Sequence, residues 1–108
     1  MSEPIEIPVF ADTPLYKLRI NLDGQDYIFR FDWNARTERW YLDIGTASEQ
    51  WIVTGLKLVA DWPILRRVSD PRRPPGNLMA VDLSPLQGEP PNLSDLGSRV
   101  KLIYIPVS

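Results

Sequence analysis

Two runs of alternating residues meet at Asp23-Gly24, and that junction constrains the fold more than any other feature of the chain. An Asp-Gly pair between alternating segments favours a type I′ turn, because both central positions need positive φ and these residues tolerate it. Counting outward from the turn fixes the register. Leu22 faces Gln25, Ile20 faces Tyr27, Leu18 faces Phe29 and Tyr16 faces Phe31, so the large apolar residues of the last three pairs share one face. Lys17 meets Arg30 and Arg19 meets Ile28 on the other face. A slip of one residue would turn every apolar side chain to the wrong side. Leu15 to Asp32 therefore reads as a β-hairpin.

The remainder is punctuated by eleven prolines and six glycines, and the stretches between them read as strands. Arg39 to Gly45 places Trp40, Leu42 and Ile44 on one face and Tyr41 and Asp43 on the other. Gln50 to Ala60 is apolar but interrupted by Gly55, which marks a bulge or a corner between two strands. Trp62-Pro63-Ile64-Leu65 is short, and its proline makes it an edge or a connector. Asn77 to Leu83 alternates again, and so does Arg99 to Ile105, with Val100, Leu102 and Tyr104 together. Ser69 to Gly76 and Ser84 to Pro91 are proline-rich loops, and Asn92 to Gly97 reads as a helical turn capped by Asn92 or Ser94. The expected fold is all-β, a small barrel or sandwich of six to seven mostly antiparallel strands with one short helical turn near the C-terminus. The 108 residues suit a single β domain over 15–108, preceded by an N-terminal arm over 1–14 that orders on a partner.

With no histidine and no cysteine, the chain has no histidine base, cysteine nucleophile, thiolate zinc site or disulfide. Ser98-Arg99-Val100-Lys101 matches the Ser-x-x-Lys spacing of serine acyl enzymes, which need both residues on one helix face. Here the motif runs into a strand, where that offset sends the side chains to opposite faces. A carboxylate pair from Asp32, Asp43, Asp82 and Asp95 is the remaining route to hydrolysis, for instance of cell-wall glycans. Asp32 and Asp43 fall at outward or end positions of strands and Asp95 in the capping turn, ordinary places for solvated acids. No catalytic, metal or cofactor residues are assigned, and neither an enzyme nor a small-molecule substrate is expected. Twelve basic against fourteen acidic residues give a net charge of −2, which argues against a dedicated duplex binder. No apolar run approaches the ~20 residues that span a bilayer, and Met1 to Glu6 lacks the basic and apolar regions of a signal peptide, so folding in a cytoplasm is expected.

Arg66, Arg67, Arg72 and Arg73 form the one dense basic cluster, with Trp62 beside it. An arginine-anchored protein contact is the favoured reading, ahead of a solvated loop and of a grip on single-stranded nucleic acid. Trp33, Trp51 and Trp62 fall at turns or off the apolar alternation. They either half-cover the rim of a small core or await burial in an assembly. The candidate partner-binding residues are thus Trp33, Trp51, Trp62, Arg66, Arg67, Arg72 and Arg73.

The order of segments carries more than any one of them. Arg39-Trp40-Tyr41-Leu42-Asp43-Ile44 is followed by Gly55-Leu56-Lys57-Leu58-Val59, then Pro63-Ile64-Leu65-Arg66-Arg67, then Pro75-Gly76-Asn77-Leu78. Asp95-Leu96-Gly97 then leads into Val100-Lys101-Leu102-Ile103-Tyr104-Ile105. From about Leu15 to Ile105 the series resembles the small baseplate plug proteins of contractile-tailed phages and prophages. The resemblance implies a non-enzymatic virion component at the tail tip, made in the host cytoplasm. It would bind other baseplate proteins, with room for a homo-oligomer and with no membrane partner, no catalytic residue and no cofactor. The alternative from another class is a single-stranded nucleic-acid-binding barrel that uses the Arg66–Arg73 loop and nearby tryptophans.

Overall fold

The structure, a computed structural model, describes residues 4–10, 13–59, 63–82, 96 and 100–106, the side chain of Arg67 excepted. Seven strands form among them: β1 (Ile5–Ile7), β2 (Leu15–Leu22), β3 (Gln25–Asn34), β4 (Arg39–Thr46), β5 (Trp51–Lys57), β6 (Asn77–Asp82) and β7 (Val100–Ile105). Asp23 and Gly24 turn β2 into β3 with φ of 54° and 82°, the positive values that a type I′ turn requires. The ladder runs from Leu22↔Gln25 to Leu15↔Asp32, in the register counted from the sequence. The next three strands follow as a meander, giving a four-stranded antiparallel sheet ordered β2-β3-β4-β5.

The second sheet has the order β1-β7-β6, again antiparallel. The two sheets do not close on each other, so the fold is the sandwich rather than the barrel. They share one core. Phe29, Phe31, Trp40, Leu42 and Ile44 from the larger sheet meet Ile7, Leu78, Ala80, Val100, Leu102 and Tyr104 from the smaller, all without exposure. Tyr16, Leu18 and Ile20 are only half-buried although their β3 partners are buried, because β2 is an edge strand.

Three features differ from the sequence reading or sharpen it. Residues 5–7, inside the segment expected as an arm, pair with β7 through Ile5↔Tyr104, Glu6↔Ile103 and Ile7↔Leu102. Three residues between Pro4 and Pro8 look too short to be a strand, yet Ile7 fills a core position once an edge of β7 accepts them. Gly55 has φ of 72° and β5 shows two register shifts against β4, so the segment is one bulged strand and not two. Pro63 bridges to Met79, and Ile64–Arg67 then form one 3-10 turn that buries Ile64 and Leu65. The helical turn expected over Asn92–Gly97 and the loop over Ser84–Pro91 lie outside the described residues, apart from Leu96, which is buried and bridges to Val100.

One buried polar cluster ties the sheets together. Tyr104 Oη donates to Asp23 Oδ2 at 2.6 Å and accepts from the Gly76 backbone N–H at 2.7 Å. Burial, and then the hydrogen bond to Asp23, push the Tyr104 phenol far above its ordinary pKa. The cluster joins the β2–β3 turn, the residue before β6, and β7. Three segments remote in sequence meet on one hydroxyl.

Candidate partner-binding surface

Asp70 shapes the proline-rich loop that follows the 3-10 turn. Its carboxylate accepts from the Arg72 backbone N–H at 2.9 Å, from Nε at 3.1 Å and from Nη2 at 2.8 Å. An aspartate that caps the backbone two residues on is a standard way to fold a tight turn. These bonds, the Arg72 side-chain one first, hold the Asp70 carboxyl down to about 2. The Asp70 carbonyl also accepts the Arg73 N–H at 3.1 Å. Arg72 is therefore already paired within its own loop. Arg73 differs: it is half-buried, and its Nη1 donates to the Pro74 carbonyl at 3.2 Å.

Pro71, Arg72, Arg73 and Pro75 form one wall of a cleft of about 400 Å³. Gln25 and Tyr27 of β3 and Thr46 of β4 form the other. Arg66 stands exposed on the 3-10 turn and does not line the cleft. The side chain of Arg67 and the whole of Trp62 lie outside the described residues. The three described arginines of the cluster thus separate into one self-neutralised residue, one half-buried residue at a cleft, and one solvated residue.

The two described candidate tryptophans sit elsewhere. Trp33, half-buried near the end of β3, is paired with Trp40 and packs edge-on against it at 5.6 Å between ring centroids. Eight residues separate it from Gln25, about 26 Å along a strand, so Trp33 and the arginine loop occupy opposite ends of the sheet. Trp51 lies on the outer face of the larger sheet, where its ring crosses Gly45. A Cβ on Gly45 would approach Trp51 Cε3 to 2.9 Å, so the glycine makes room for the ring. The Arg30 guanidinium stacks over the same ring at 4.5 Å from its centroid.

A protein-family model described as "Cyanophage baseplate Pam3 plug gp18" matches residues 5–107. The chain belongs to this baseplate plug family. The match opens at Ile5, the first residue of β1, and takes in every strand of both sheets. A search of curated proteins gave no match. Among the described residues of this plug-family chain, no group of three or more acidic residues is placed to hold a metal ion.

The sequence reading missed one residue of the plug's outer face. Asp43, placed on the outward side of its strand as a solvated acid, is 7% exposed. Arg30 lies directly across from it on β3, and its Nε donates to Oδ2 at 2.7 Å while Nη2 makes the ion pair. Oδ1 accepts the Gly55 backbone N–H at 2.7 Å, which fixes the bulge of β5. Asp43 thereby orders Arg30, and Arg30 covers Trp51. The signal available in sequence is the Arg30/Asp43 opposition that follows once β3 and β4 are registered. Asp43→Ala should cost about 1–3 kcal/mol, the usual range for losing a charge-assisted bond at a buried site. The check is the urea midpoint, together with a change in Trp51 fluorescence as Arg30 is released. An unchanged midpoint would show that the bulge holds without the carboxylate.

Proposed function

We propose that the chain acts as a structural subunit of a contractile phage tail baseplate, occupying a site at the tail tip and binding neighbouring baseplate proteins without turnover of its own. The observation that carries this reading is the family match over residues 5–107, which spans both sheets. The absence of histidine and cysteine from the sequence fits it. So do half-exposed Trp33 and Trp51 and the arginine loop, since tryptophan and arginine are enriched where interfaces concentrate their binding energy. In this role Trp33, Trp51, Trp62, Arg66, Arg67, Arg72 and Arg73 face other subunits, and the protein is made in the host cytoplasm before it enters the virion. Purified tails from a producing strain should contain this chain by mass spectrometry. Intact, infectious particles that lack it altogether would overturn the reading.

A further inference from the structure

We propose that the cleft between the proline-rich loop and the ends of β3 and β4 seats an acidic side chain of a neighbouring baseplate protein, with Arg73 as its charge partner. The inference rests on the baseplate reading and names the chemistry of one contact within it.

The other described arginines spend their charge elsewhere or stand in water. Arg19, Arg30 and Arg72 each pair with a carboxylate. Arg39 donates to the Thr37 and Glu38 carbonyls of its own turn, and Arg36 and Arg66 are exposed to water. Arg73 alone among the described arginines is half-buried at a concave site, with a single hydrogen bond to the neighbouring Pro74 carbonyl. A guanidinium has five donors, so most of its capacity is unspent. Pro71, Pro75 and Tyr27 line the cleft beside it, and the partial burial of Arg73 strengthens an ion pair formed there. Gln25 and Thr46 on the facing wall add polar groups beside the incoming residue.

The cleft is also held in shape before anything binds. Asp23, which leads into one wall, and Gly76, which ends the other, are joined through Tyr104. A site whose walls are already fixed loses less ordering entropy on binding. Phosphate is the competing anion, but a single strand of nucleic acid needs successive charges and a stacking platform. Here Arg72 is neutralised by Asp70, and Trp33 stands at the far end of the sheet. One carboxylate against one guanidinium matches the site.

The test uses the full chain in assembled tails. Arg73→Gln should lower the fraction retained in purified tails by about tenfold at moderate salt, in the range that loss of a partly buried charge pair produces, whereas Arg36→Gln, at an exposed arginine outside the proposed contact residues, should leave it unchanged. Gln25→Glu, which adds a repelling charge to the facing wall without touching an arginine, should reproduce the loss and decides the matter if Arg73→Gln fails to fold by circular dichroism. Gln25→p-benzoylphenylalanine should crosslink to a partner segment that contains aspartate or glutamate. Equal retention of wild type, Arg73→Gln and Gln25→Glu, or a crosslinked segment without an acid, overturns the inference and leaves the baseplate role standing. Salt-sensitive binding of an oligo-dT 20-mer that Arg73→Gln abolishes also overturns it, in favour of nucleic acid. Tails that lack even the wild-type chain defeat the baseplate role itself.

Discussion

Gly76→Ala should destabilise the domain by about 3 kcal/mol or more, at the upper end of what overpacking a well-filled site costs. A Cβ at this position would overlap the Ile105 carbonyl oxygen and approach Tyr104 Cζ and Oη to 2.8 Å. Backbone cannot yield as a flexible side chain does, and moving Tyr104 would break its bonds to both Asp23 and Gly76. The companion variant Tyr104→Phe separates the two effects. It keeps the ring but leaves the buried Gly76 N–H without its acceptor, at a cost of about 1–3 kcal/mol. Urea unfolding of both variants measures the difference. Against a total stability of roughly 5–15 kcal/mol, the alanine change removes a large share. A Gly76→Ala protein within about 1 kcal/mol of wild type would show that the clasp Tyr104 forms between Asp23 and Gly76 is looser than its distances indicate.

Phe29→Ala should cost about 3–5 kcal/mol, the sum of lost transfer energy and the cavity left behind. Phe29 is fully buried, lies between Leu18 on β2 and Ile44 on β4, and sits 6.3 Å from the ring of Phe31. Neighbours anchored in two ladders cannot collapse easily into the space. Ile28→Ala, one position along on the half-exposed outer face, provides the contrast and should cost far less. Equal losses for the two variants, read from denaturant midpoints at constant m-value, would contradict the assignment of faces.

The hairpin that fixes these faces was readable from sequence because turn chemistry and alternation act over few residues. Leu15 to Asp32 carries its own register, and the pairs counted from Asp23-Gly24 are those of the ladder. The bulge at Gly55 was readable for the same local reason. What escaped depends on pairings between distant segments. The choice of sandwich over barrel turns on β7 lying between β1 and β6, which no local pattern encodes. Asp43 alternates as a solvated residue would, and only Arg30 on the neighbouring strand and the bulged Gly55 together bury it. The clasp joins residues 81 positions apart. Of the candidate surface, the residue types were visible, but their separation into a paired Arg72, a cleft-lining Arg73 and a distant Trp33 required the fold.

The order of the two sheets along the chain also sets the sequence of events as the molecule forms. β2 to β5 are consecutive strands joined by short turns, so each new pairing closes only a small loop. β1 and β7 lie at opposite ends of the described chain, and joining Ile5 to Tyr104 closes nearly all of it. Closure entropy grows with the logarithm of loop length, and long-range pairings are correspondingly slow. The meander should therefore stand first and serve as the platform on which β6, β7 and finally β1 condense, so that Phe29→Ala slows folding whereas Ile7→Ala mainly speeds unfolding. Stopped-flow chevrons of the two variants report this directly, and the reverse pattern would mean that the chain's two ends find each other before its middle does.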